Sequence, residues 1–247
     1  MRTLEAQPLA DRSPGFGRSL GYEWAAFRSL RSNWVLMGSA VVVQLLLTIV
    51  AHDGRDTGDI TFDKVLSVAW LFTVLVAALG VNAFGTEYRH RTIVTTVLTA
   101  RSRTHVLLAK AVVVTSAAIV TECAVLASSW LVLAGMFGAA PTVSTSLALG
   151  SGAIVYTALA TLVGLGLAVL LHGSITPIAM LVVWPQIEMF LINRLDLPEW
   201  LLTVLHPFYS ARQLINDSPE WPGALPLLGL AAVLLGASAI VLTRRDV

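Results

Sequence analysis

Apolar residues in this sequence are gathered into blocks of about 17 to 26 residues, the length an α-helix needs to cross a hydrocarbon core about 30 Å thick. Inside a bilayer no water satisfies backbone N–H and C=O groups, so each block must be helical or part of a closed barrel. The blocks are too long and too uniformly apolar for barrel strands. Of the 247 residues, 56% are hydrophobic and 13% charged, against roughly 25% charged in a soluble chain; the excess apolar surface has to face lipid. The expected fold class is an all-α integral membrane protein of six transmembrane helices.

The spans fall at about Trp34 to Ala51, Val65 to Phe84, Val106 to Phe137, Leu147 to Leu171, Ser174 to Ile192 and Leu225 to Leu242. Basic residues sit on alternate segments. Arg2, Arg12, Arg18, Arg28 and Arg31 precede the first span, Arg89, Arg91, Arg101, Arg103 and Lys110 surround the connection from the second to the third, and Arg244 and Arg245 follow the last. The opposite segments hold Arg55, Lys64, Arg194 and Arg212 among a larger number of acids. By the positive-inside rule both termini are cytoplasmic. Against this pattern, the short connection at His172 and Gly173 carries no Lys or Arg. Residues 1–19 lack the apolar core of a signal peptide and read as a flexible cytoplasmic segment ahead of one transmembrane domain, 20–247.

The third span is the longest. At 1.5 Å per residue its ~30 residues would reach about 45 Å, so it tilts or projects into the cytoplasm, with Lys110 snorkelling to the surface. Pro185 lies within the fifth span and implies a kink. Between Asn193 and Gly223 the only long connection mixes Trp200, Leu201, Leu205, Phe208, Leu214 and Trp221 with polar residues and four prolines. One or two short helices lying at the outer interface are expected there, with Trp and Tyr209 at headgroup depth.

Chemistry of the usual enzymatic kinds finds no foothold. The chain has no GxxxxGK[ST] phosphate loop, no HExxH and no GxSxG, and His52, His90, His105, His172 and His206 are scattered over different connections. Cys123, the single cysteine, lies within an apolar block and excludes a disulfide framework within one chain. No catalytic residue, no metal and no cofactor are therefore expected on this chain, and no nucleic-acid partner. The arginine excess, with lysine only at Lys64 and Lys110, hints at a high-GC bacterial gene.

Two cytoplasmic segments stand out. From Leu20 to Trp34, Leu20, Trp24, Phe27, Leu30 or Arg31, and Trp34 recur at three- and four-residue steps, with Glu23, Arg28 and Ser32 elsewhere. This is an amphipathic helix over 20–33 that lies along the inner membrane surface. The second is Glu87-Tyr88-Arg89-His90-Arg91-Thr92, followed by Arg101-Ser102-Arg103 and Lys110. Basic residues here serve topology, but Glu87 is not needed for that. The apolar run Ile93, Val94, Val97 and Leu98 would let the segment lie flat and present a docking face.

These features together resemble the ABC-2 type permeases of ATP-binding-cassette exporters. That family shows an E-(Y/F/W)-R-x-(G/R)-T motif after span two, similar to Glu87 to Thr92, then a turn like Ala100 to Arg103 and an Ala-Lys pair like Ala109-Lys110. Ala100 stands where proline is common and Arg91 where glycine is often found. The resemblance implies an elbow helix carrying Trp24, Phe27, Arg28 and Arg31, and a short coupling helix in which Glu87, Tyr88, Arg89, His90, Arg91, Thr92, Arg101 and Arg103 meet a separate ATPase. It implies ATP and Mg on a partner ATPase dimer, a second permease copy or homologue, and a bacterial cytoplasmic membrane with lipid around the spans.

Within the bilayer Glu122 and Glu188 need explaining, since an acid at mid-span costs about 2.5 kcal/mol on the lower estimates. Thr115, Glu122 and Ser129, spaced by seven, form one polar stripe on the third span. Gln186 and Glu188 follow Pro185. These five residues either fix packing between helices or line an export path. Ala160, Gly164 and Ala168 give the fourth span a small-residue face suited to close helix contact. The cargo implied is hydrophobic or amphipathic: a drug, antibiotic, peptide or lipid. Rival readings are an ion-coupled secondary transporter using Glu122 and Glu188, and a non-transporting immunity or anchor protein.

Overall fold

The structure, a computed structural model, describes residues 16–52, 70–90, 103–136, 143–192, 194, 198–215 and 219–244. Among these every regular element is a helix: α1 (Phe16–Ser29), α2 (Arg31–His52), α3 (Trp70–His90), α4 (Arg103–Met136), α5 (Val143–Leu171), α6 (Ile175–Ile192), α7 (Glu199–Leu205), α8 (Pro207–Arg212), a 3-10 turn (Trp221–Gly223) and α9 (Ala224–Arg244). Among the described residues five stretches are long and apolar enough to cross a membrane: Arg31–Val50, Thr104–Met136, Ser146–Leu171, Ile175–Ile192 and Trp221–Arg244. The chain is an all-helical membrane protein. The span expected at Val65 to Phe84 coincides in part with α3, which is not one of these five; residues 65–69 lie outside the described residues.

The amphipathic helix does not have its expected bounds. It starts at Phe16 and stops at Ser29; Leu30 is not helical and α2 begins at Arg31. Side chains from the next helix explain the break. Asn33 Nδ2 donates to the Phe27 carbonyl at 3.1 Å and Trp34 Nε1 to the Arg28 carbonyl at 3.1 Å, while Ser29 Oγ donates to Ala26 O at 2.7 Å. Carbonyls that a helix end leaves without intrahelical partners are thus satisfied at a corner. The segment expected to form the coupling helix, 91–102, lies outside the described residues.

Helix α5 is the axis of the bundle, with α3, α9, α4 and α6 packed around it. Its tightest seam is with α3. A Cβ on Gly80 would collide with the Thr161 carbonyl oxygen, and one on Gly164 would stand 2.6 Å from Ala77 O. The small-residue face of Ala160, Gly164 and Ala168 is therefore used within the chain, where missing side chains let two backbones approach. At the far end of α5, Gly152 meets the Leu214 carbonyl just past α8 in the same way. Helix α8 is not flat on the surface: Pro207, Phe208, Ser210 and Ala211 are buried against neighbouring helices, whereas Trp200, Tyr209 and Trp221 are exposed.

Gly80→Val should lower the thermal unfolding transition of the detergent-purified protein, at a cost of about 3 kcal/mol, because nothing but backbone stands where the side chain must go. Gly38→Ala, where a Cβ meets nothing within 4 Å, should leave the transition in place. Equal transitions for the two variants would refute the α3–α5 seam.

Candidate functional site

Lys110 does not snorkel. It is 4% exposed, about two turns into α4, and its ammonium lies between two carboxylates: 2.8 Å from Glu23 Oε2 on α1 and 2.7 Å from Glu87 Oε1 on α3. The Phe84 ring, one turn before Glu87, has its centroid 5.0 Å from the same nitrogen. Three helices are joined through one cation. The physical reason is that a buried ammonium costs several kcal/mol unless acceptors replace its water, and both acids are within reach at this end of the bundle.

The surrounding groups extend the junction to α2. Asn82 Nδ2 on α3 donates to Asn33 Oδ1 at 3.4 Å, and Thr86 Oγ1 donates to the Asn82 carbonyl at 2.9 Å. Tyr88 Oη donates to Val169 O at 3.3 Å and its ring meets His172 edge-on at 5.2 Å, tying the end of α3 to the turn between α5 and α6. In that turn His172 adopts a positive φ of 54°. Removal from water raises the Glu23 carboxyl above the ordinary value of 4.5, with Lys110 pulling in the opposite direction.

A cavity of about 330 Å³ opens beside this lock, lined among others by Tyr22, Phe27, Asn33 and Thr86 together with all three charged residues. Glu87 Oε2, buried, has no hydrogen-bond partner.

The residues singled out from sequence distribute as follows. Glu87 and Tyr88 belong to α3 and point inward to Lys110 and Val169, whereas Arg89 is exposed. His90 closes α3 and Arg103 opens α4; Arg91, Thr92 and Arg101 lie outside the described residues. On α1 the buried face is Glu23 and Phe27, not Trp24, which is 46% exposed and stacks on Phe27 at 6.1 Å. Arg28 and Arg31 are exposed on either side of the corner.

Glu122 is fully buried and accepts a hydrogen bond from Thr157 Oγ1 of α5 at 3.0 Å; its Oε1 and the hydroxyl of Thr115 have no partner. Ser129, also buried, lies 3.5 Å from Thr48 Oγ1 of α2. The stripe on α4 thus faces two different helices. Glu188 is held by Trp184 Nε1 at 2.5 Å and the Tyr209 backbone N–H at 2.8 Å, joining α6 to α8. Gln186 is exposed on another face of α6, as two residues along a helix must be.

Lys110 and Glu23 acquire a role that periodicity alone did not reveal. The available signal was an acid, Glu23, in a segment whose other charges are basic, the same anomaly that marked Glu87. Thr157 and Asn82 gave no signal, being ordinary polar residues within apolar helices. No group of three or more His, Cys, Asp or Glu side chains able to hold a metal ion occurs among the described residues.

Comparison with known proteins adds no assignment: no protein-family model matches the sequence, and no curated protein matches it.

Lys110→Met should cost about 3 kcal/mol, because a buried and a half-buried carboxylate lose their common cation. A carboxyl whose pKa is raised on folding holds its proton more tightly in the folded state, so stability falls as pH rises from the ordinary value through the raised one. The variant's deficit should therefore be larger at pH 8 than at pH 5, whereas Glu23→Gln, which keeps the Glu87–Lys110 pair, should be tolerated. Thermal unfolding at both pH values checks this; a deficit independent of pH would count against the lock.

Proposed function

We propose that this chain is the membrane-spanning subunit of an ATP-driven exporter of the ABC-2 type, working with a separate ATPase at the end of the bundle that carries the lock. On this reading α3 completes a six-span domain, α1 is the elbow helix, and the arginine-bearing segment 91–102 receives force from the ATPase. The subunit pairs with a second copy or a homologue in a bacterial cytoplasmic membrane, both termini cytoplasmic, and moves a hydrophobic or amphipathic cargo.

The observation that carries the reading is the Glu23–Lys110–Glu87 junction. The segment 91–102 connects α3 to α4, and the junction ties those two helices to each other and to α1 close to its two ends. A push on that segment is then delivered to α1, α3 and α4 as one body rather than dissipated in a loop, which is what rigid-body switching requires. The motif-like run Glu87 to Thr92 has two parts on this view: Glu87 and Tyr88 anchor the segment inward, and exposed Arg89 is free to meet the partner. ATP binding by the partner supplies the difference in affinity between the two states.

One observation favours a second reading. Glu122, fully buried with a partnerless Oε1, is the kind of group an ion-coupled transporter protonates in its cycle.

A photo-crosslinking residue at Arg89, in cells of the source organism, should trap a polypeptide bearing a GxxxxGK[ST] loop. The purified complex should hydrolyse ATP, and Arg89→Glu should reduce that hydrolysis at least tenfold without shifting thermal unfolding. Transport that continues without the ATPase, collapses with the proton gradient and is lost in Glu122→Gln would transfer the assignment to the second reading.

A further inference from the structure

Helix α6 meets the rest of the bundle along one edge. Pro177, Leu181 and Glu188 are its buried residues, and it touches α3, α5 and α8. Of the five apolar stretches it is the least buried. On the side opposite Leu181 and Glu188, Thr176, Ala179, Val183, Gln186 and Phe190 are all exposed. Their steps of three, four, three and four residues repeat every seven, the spacing of a seam along which two helices pack as a left-handed pair.

Lipid can cover this face everywhere except at Gln186. Helix α6 has 18 residues, and Gln186 lies about 16 Å from its start and about 9 Å from its end at 1.5 Å per residue. That is inside a hydrocarbon core about 30 Å thick. The carboxamide makes no hydrogen bond with any described residue, and hydrocarbon supplies neither donor nor acceptor. Ser116, exposed on α4, is not in the same position, since its hydroxyl donates to the Val112 carbonyl of its own helix at 2.8 Å.

The chemistry of the group selects its partner. A carboxamide both donates and accepts, so a second carboxamide satisfies it. Two copies of one membrane protein inserted in the same orientation are related by a two-fold axis along the membrane normal. Such an axis brings a residue beside it opposite its own counterpart at the same depth. A single polar side chain in an otherwise apolar seam also fixes the register of a helix pair. Ala179, about two turns before Gln186, leaves room for the backbones to approach.

We infer that α6 is the contact between two copies of this chain, the helices parallel along Ala179, Val183 and Phe190 and joined by hydrogen bonds between the two Gln186 carboxamides. The inference rests on the exporter reading only in deepening it: that reading calls for a second copy or a homologue, and this one chooses the copy and names the face. No ATPase is needed for the contact. Its failure would therefore leave the trapping of an ATPase at Arg89 untouched.

In a Cys123→Ala background, Ala179→Cys, Val183→Cys, Gln186→Cys and Phe190→Cys should each give disulfide-linked dimers on oxidation with copper phenanthroline, in membranes of a host expressing this chain alone. Leu131→Cys on α4 and Val233→Cys on α9, at positions 63% and 68% exposed, should not. Energy transfer between labelled copies in liposomes should show a dimer whose dissociation constant rises at least threefold in Gln186→Leu and at least tenfold in Ala179→Phe. Both variants should keep the helical circular dichroism of the unaltered chain, because neither side chain is buried within it.

An unchanged dissociation constant in Gln186→Leu would overturn the inference, as would crosslinks at Leu131→Cys or Val233→Cys in place of those on α6. Capture of another polypeptide by Gln186→Cys would give the face to a different partner. Labelling of Gln186→Cys by a membrane-impermeant maleimide, with no dimer formed on oxidation, would make it a water-lined wall; either result sinks the pairing of copies.

Discussion

In a bilayer the hydrophobic effect does not press helices together, because lipid tails are as apolar as the side chains they would replace. What remains is close packing, and in this protein it is concentrated where α3 lies on α5. Gly80 faces the Thr161 carbonyl and Gly164 faces that of Ala77, so the two backbones touch at positions from which side chains are missing. That contact fixes the depth and rotation of α3. Its last turns then place Phe84 and Glu87 toward α4 and Tyr88 toward the α5–α6 turn, with little freedom to do otherwise.

The charged junction depends on this seam and in turn holds what the seam does not reach. Helix α1 packs mainly on α4 and makes a smaller contact with α2; its buried face offers only Phe27 and Glu23. Packing of one aromatic is a modest anchor. Two charge-assisted hydrogen bonds through Lys110 add a strong directional one, since ionised donors and acceptors bond about twice as strongly as neutral pairs. The corner at Leu30, with Asn33 and Trp34 capping the end of α1, sets the angle at which Glu23 arrives. The same low dielectric that strengthens the bonds makes loss of the shared cation expensive.

Much of the fold was legible in the sequence. Four of the apolar blocks ended within a few residues of where α4, α5, α6 and α9 end, because a helix in lipid must begin and stop where apolar residues do. The first block was placed three residues late, since the periodicity of Leu20, Trp24, Phe27 and Trp34 runs straight through a corner made by side-chain caps. Burial of Glu122 and Glu188 was also legible, as neither carboxylate tolerates lipid. Their partners were not: Thr157 is an ordinary threonine on an apolar helix, and the Tyr209 N–H is a backbone group. Gln186, next to the same proline, faces away from Glu188 for reasons of helix geometry that spacing alone states plainly.

Length and polarity of the blocks by themselves determined that this chain is a helical membrane protein, because the cost of an unsatisfied backbone group in hydrocarbon admits few alternatives. The alternation of arginine between segments carried an expectation of orientation, and the run from Glu87 to Thr92 one of partnership. Only the tertiary structure decided that Lys110 is a buried hub and that Glu23, 87 residues away in the chain, shares it with Glu87. Charges meet through space, and the distance between two of them depends on how helices cross, which is set by backbone contacts at Gly80 and Gly164 that no local pattern specifies.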